Sequence, residues 1–90
     1  MTNKREGPWM RCAKCRIWFE LSALQEHHIY PKELRESEQN IKDGRRILLC
    51  KEDHIGKNGL HYIPEYIEAR KRGDKDGIWR ITERFIGKTL

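Results

Sequence analysis

The sequence predicts a small α+β domain held together at one end by a metal ion. Three observations carry that reading. The cysteines fall in the pattern C-x-x-C … C-x-x-D, "CAKC" at 12–15 and "CKED" at 50–53. Short runs rich in β-branched, aromatic and aliphatic residues lie in the first half of the chain, at 17–21, 27–30 and 45–50. The two longest helical patterns both follow residue 63.

Residues 1–8 are polar, end in Gly7-Pro8 and read as a frayed arm. Cys12 and Cys15 bracket a tight turn. "IWFEL" (17–21) favours extended structure, and "SALQE" (22–26) is ambiguous, with one helical turn as an option. "HHIY" (27–30) reads as a strand ended by Pro31, because proline cannot donate to a ladder. Residues 32–44 are highly charged and close on the turn signal Asp43-Gly44, which makes a loop with some helical character. "RRILLC" (45–50) is the strongest strand. "KEDHIGKN" (51–58) opens a helix whose acidic residues sit where the dipole favours them, with Gly59 as its stop. Pro64 suits the first turn of a second helix over 64–72, which Gly73 ends. A third helix over 74–87 gathers Ile78, Ile81, Phe85 and Ile86 on one face. Trp9, Trp18, Phe19, Ile47, Leu49, Ile63, Trp79 and Phe85 are the core candidates.

Composition explains why a metal is wanted. The chain has 90 residues, of which 37% are apolar. A single domain over 1–90 is the default at that length, and its core is thin enough to need a staple. Three cysteines leave one unpaired in any disulfide scheme and suit metal in a reducing compartment. No run approaches the ~18 apolar residues of a membrane span. "MTNKREGPWM" lacks the apolar stretch of a signal peptide, so a cytoplasmic location is expected. The formal net charge of +5 favours a polyanionic partner, nucleic acid above all. A merely solvated basic surface is the plain alternative.

Cys12 and Cys15 make one half of a structural zinc site, because two thiolates at that spacing reach one ion from a tight turn. Cys50 begins the second half. Asp53 stands where a fourth cysteine is usual, and carboxylate is a permitted zinc ligand. His61 is the rival for that fourth position. A redox role for the C-x-x-C pair needs a βαβ context that this chain lacks. A two-cysteine, two-histidine finger also fails. Cys15 to His28 has the right spacing, but residues 29–34 hold no second histidine. The adjacent pair His27-His28 therefore needs another explanation.

Taken together, "CAKC", "EHHIYP", "LLCKEDH" and "HIGKN" resemble the zinc-stapled HNH endonucleases of the ββα-metal, or His-Me finger, class. The resemblance covers residues 12–61 and leaves 62–90 as a C-terminal helical extension. It implies a small ββα-metal core on a structural zinc knuckle, acting as a metal-dependent endonuclease on DNA. It makes His28 the general base. It gives His27, His54 and Asn58 to a catalytic divalent cation (Mg²⁺, Mn²⁺, Ni²⁺ or Zn²⁺), and Cys12, Cys15, Cys50 and Asp53 to the structural Zn²⁺. The chemistry agrees. An imidazole with a pKa near ~6.5 accepts a proton at neutral pH. A divalent cation neutralises charge on a phosphodiester as it develops. One imidazole cannot serve both ends, whereas neighbours on a strand point to opposite faces.

The chain departs from the family pattern at Asp53 and at Arg45, which stands where the middle Asn of HNH usually lies. Arginine cannot accept a hydrogen bond, so it cannot copy the amide. It would touch phosphate instead, or Asn40 would substitute from the loop. Arg45, Arg46 and Lys57 are the expected DNA contacts. Arg70, Lys71 and Arg72 fit DNA and simple complementation of a helix C-terminus equally well. Two other functions fit the same residues: a zinc-stabilised nucleic-acid-binding module without catalysis, and a protein-interaction adaptor.

Overall fold

The first strands form around the C-x-x-C turn. In the computed structural model, which describes residues 8–37 and 40–90, β1 (Trp9–Arg11) pairs antiparallel with β2 (Trp18–Glu20). The turn between them is closed by the Arg16 N–H on the Cys12 carbonyl at 3.0 Å and the Cys12 N–H on the Ile17 carbonyl at 3.1 Å. Arg16 takes a left-handed backbone, φ 65°, unusual for a residue with a Cβ. Its guanidinium donates to the Ile86 carbonyl at 2.7 Å and anchors the turn to the far end of the chain. The arm expected over residues 1–8 lies, apart from Pro8, outside the described residues.

A second antiparallel pair follows: β3 (Leu24–His28) against β4 (Arg46–Cys50), with Leu24 opposite Cys50 and His28 opposite Arg46. One bond extends the pairing past β3, from the Ile29 N–H to the Arg45 carbonyl at 3.1 Å. The Ala13 N–H donates to the Leu48 carbonyl at 2.9 Å, which fixes the turn of the first hairpin against β4. Helix α1 (Lys51–Ile55) starts at the residue after β4. Among the described residues, helices α2 (Pro64–Arg72) and α3 (Lys75–Ile86) complete a mixed α+β fold of two small antiparallel sheets and three α-helices. Its core joins Leu24 and Ile29 to Ile47 and Leu49 of β4, Leu60, Tyr66 and Ala69 of the α2 region, and Ile78 and Ile86 of α3.

Three expectations need correction. Trp9 and Trp18 were expected inside but are 46% and 54% exposed. In the hairpin register, Trp9 and the Arg11–Trp18 pair share the face opposite Met10 and Phe19, and Phe19 takes the inner side. Arg11 instead stacks over the Trp18 ring at 4.8 Å. The strand at 27–30 starts earlier, at Leu24, after a 3-10 turn over 21–23, and ends at His28. The helix expected over 51–58 stops at Ile55. Gly56 turns extended, φ −73° and ψ 177°, and its N–H closes onto the Lys51 and Glu52 carbonyls. A Cβ at Gly56 would collide with the Glu52 carbonyl oxygen, so the break depends on glycine. Asn58 is therefore not on the helical face of His54.

The loop between β3 and β4 is tied down by Asp43, which is 1% exposed. Its carboxylate accepts from the Glu36 and Ser37 N–H groups at 2.9 and 3.1 Å and from Lys75 Nζ at 2.8 Å. Asn40 sits in the same loop, where its side-chain oxygen accepts from the Lys42 and Asp43 N–H groups. No described helix is long and apolar enough to cross a membrane.

Candidate metal centres

The cysteine half-sites meet. Cys12 and Cys15 come from the first hairpin's turn, Cys50 from the end of β4 and Asp53 from the first turn of α1. Their four ligand atoms lie within 4.8 Å of one another. Asp53 Oδ2 is 3.2 Å from both Cys12 Sγ and Cys50 Sγ, and the Lys14 and Cys50 N–H groups donate to Cys12 Sγ at 3.4 Å. Cys12 and Cys50 are buried; Cys15 faces solvent. Burial pushes the Cys50 thiol up to about 12 and raises that of Cys15 as well. Burial also pushes Asp53 up, but hydrogen bonds from Cys12, Cys50 and Cys15 outweigh it, and the carboxyl ends below its ordinary value. Without a metal, Cys15 and Cys50 are thus held as thiols near the Asp53 carboxylate. Such a set gives up its protons when a divalent cation arrives. Three sulfurs and one carboxylate oxygen suit tetrahedral zinc, and the four residues can bind such a metal. His61 takes no part in this group.

His61 belongs to a second cluster, with His27 of β3 and His54 of α1. His27 Nδ1 is 3.2 Å from His54 Nε2, and His61 Nε2 is 3.0 Å from the same atom. Ligands about 2.0–2.1 Å from one ion are separated by roughly 3.0–3.4 Å, so the spacing suits nitrogens shared by a metal. His54 Nδ1 donates to Gln25 Oε1 at 2.7 Å, which turns the Nε2 lone pair toward the other two rings. Burial, followed by the charges of His61, His54, His28 and Arg70, lowers His27 to about 3. Burial also lowers His54 and His61, with His54 and Arg70 adding to the effect at His61. All three rings are therefore neutral at pH 7, the form that ligates. The donor set fits a divalent cation.

Around these nitrogens lies a cavity of about 200 Å³ lined by His28, Lys32 and Arg70 besides the three histidines and Tyr66. His28 is half-buried and reaches this cavity from the residue next to His27. Asn58 is exposed in the turn after α1, outside the cavity lining. Arg45, Arg46 and Lys57 are exposed and also lie outside it. Arg46 pairs with Glu26 at 3.2 Å, and the Arg45 carbonyl serves the β3–β4 pairing.

Sequence reasoning missed Gln25, and it considered His61 only for the cysteine site. The signal was Gly56 and Gly59: two glycines after one short helical stretch let the chain turn back and bring His61 to His54. The Gly59 N–H bonds the Gly56 carbonyl at 2.9 Å within that turn. No protein-family model, no curated protein and no solved structure matches the chain.

Proposed function

We propose that the chain is a metal-dependent endonuclease of the HNH type acting on DNA, with β3, β4 and α1 as its ββα-metal core. The observation that carries this reading is the convergence of His27, His54 and His61 beside a fourth histidine, His28, in one cavity. His27, His54 and His61 hold the cation, His61 filling the place first given to Asn58. When bound, the cation supplies charge neutralisation at the scissile phosphate and the leaving oxygen. His28, outside the ligand set, accepts the proton of the attacking water. Gln25 holds the His54 ring in its ligating orientation. Cys12, Cys15, Cys50 and Asp53 hold a structural zinc that pins α1 to β4 and to the first hairpin. Arg45, Arg46 and Lys57 contact phosphates along the duplex, Arg46 exchanging Glu26 for DNA.

Nicking of supercoiled plasmid under Mg²⁺, Mn²⁺, Ni²⁺ or Zn²⁺ tests the proposal. Cleavage is expected with at least one of these ions and is abolished by removing it. DNA affinity should fall steeply with salt, since lysine and arginine contacts release counterions. Salt-sensitive binding with no cleavage under any ion would instead favour a zinc-stabilised binding module.

A further inference from the structure

Tyr66 is the most deeply placed polar side chain of α2: it is 1% exposed, and its hydroxyl has no hydrogen-bond partner. Its ring lies edge-on to His61, centroids 5.6 Å apart, and 6.1 Å from His27. A hydroxyl buried without a partner destabilises a protein unless something bonds it. Tyr66 borders the histidine cavity on one side. On the other it borders a second cavity of about 320 Å³, lined also by Glu33, His61, Ile67, Arg70 and Lys71. Tyr66, His61 and Arg70 form the wall common to both. Arg70 presents its guanidinium as a fork, Nε at 2.6 Å and Nη2 at 3.2 Å from the Glu33 carboxylate. Glu33 itself is half exposed, so that carboxylate is a replaceable occupant of the fork.

We propose that Tyr66 and Arg70 form a subsite for the phosphate of a nucleotide, with the second cavity taking the attached nucleoside. A phosphate accepts the Tyr66 hydroxyl and two parallel N–H groups of Arg70 at once, the geometry for which a guanidinium is suited. Ile67, Tyr66 and His61 in its lining offer apolar and ring surface to a sugar or base, and Lys71 adds charge. The volume lies at the small end of ligand pockets, room for one nucleoside rather than a duplex. As a statement about substrate, this rests on the nuclease reading: the nucleotide flanking the cut is drawn out of the duplex, so single-stranded or distorted DNA is preferred.

Calorimetric titration of the full chain, loaded with one equivalent of zinc and no second divalent ion, tests this without cleavage. Thymidine 5′-monophosphate should bind more tightly than either inorganic phosphate or thymidine. Tyr66→Phe should weaken the monophosphate by roughly tenfold or more, the worth of one hydrogen bond to a charged group. It should not lower the melting temperature, because it removes an unpaired buried hydroxyl. Glu33→Gln should strengthen binding by freeing the fork. Unchanged monophosphate affinity in Tyr66→Phe, or in Glu33→Gln if the first variant does not fold, overturns the phosphate subsite and leaves a buried water as the partner of Tyr66. Equal affinity for the monophosphate and inorganic phosphate overturns the nucleoside cavity. A chain that cuts no DNA can still pass this titration, so its outcome is separate from that of the nuclease reading.

Discussion

His27 and His28 are one peptide bond apart and differ in their surroundings. His27 is 3% exposed, and its Nδ1 is aimed at His54. His28 is half-buried and open to the cavity. Burial holds His27 at about 3 in the folded chain, against ~6.5 when unfolded. Between those values the unfolded chain binds a proton that the folded chain refuses. His27 thus favours folding fully above pH ~6.5, and that contribution fades as pH falls toward 3. His54 and His61 act in the same direction. Asp43 and Asp53 are both held below the ordinary carboxyl value, so they stay ionised down to pH 5. The melting temperature of protein lacking a metal at the histidines should therefore drop between pH 7 and pH 5. His27→Ala should flatten that drop, as thermal scans at several pH values would show. An unchanged pH profile in the variant would place His27 in contact with solvent. The sequence announced the histidine pair; the burial separating its members depends on Tyr66 and His61, which lie more than thirty positions away and carry no local mark of that contact.

At the scale of elements, local signals were legible and registers were not. Helix α2 runs over Pro64–Arg72, the span that Pro64 and Gly73 mark out, with Gly73 in the left-handed conformation at φ 68°. Strand β4 follows its run of aliphatic residues. The outward face of the β1–β2 hairpin escaped notice because a one-residue change of register exchanges the two faces of a strand. The end of α1 escaped because Gly56 is tolerable inside a helix on propensity alone, and its close approach to Glu52 is a tertiary fact. Asp43 was read as half of a turn signal, yet it ties residues 36–37 and α3 to one loop. Asp43→Ala leaves two loop N–H groups and the partly buried Lys75 without their acceptor. It should lower the melting temperature much more than Glu65→Ala, whose partner Arg84 is as exposed as Glu65 itself. Differential scanning calorimetry of the two variants makes the comparison; equal effects would mean that the loop holds its shape without Asp43.

Across the whole molecule the two candidate metal centres share one short helix. Asp53 and His54 are consecutive in α1, and Cys50 lies directly opposite Leu24 on the strand that carries Gln25 and His27. So thin a core has little else to hold α1 in place. Cys50→Ser should lower bound zinc and thermal stability together, and should also weaken a divalent cation at the histidines, although it touches none of them. Elemental analysis with calorimetry would show whether the two losses travel together. A well-folded, metal-replete preparation without zinc would sink the cysteine centre.

The proposed division of labour gives the metal to His27, His54 and His61 and the proton to His28. Its most direct test is calorimetric titration of the activating divalent ion into the zinc-loaded chain, with cleavage rates measured on the same samples for His28→Ala, His61→Ala and Asn58→Ala. His28→Ala should keep the metal and lose at least ~10²-fold in rate, the low end of what a positioned base contributes, with partial recovery as pH rises. His61→Ala should lose metal affinity, with some cleavage restored at high metal concentration, and Asn58→Ala should change neither quantity. Loss of the metal in His28→Ala, or its retention in His61→Ala, would contradict the assignment.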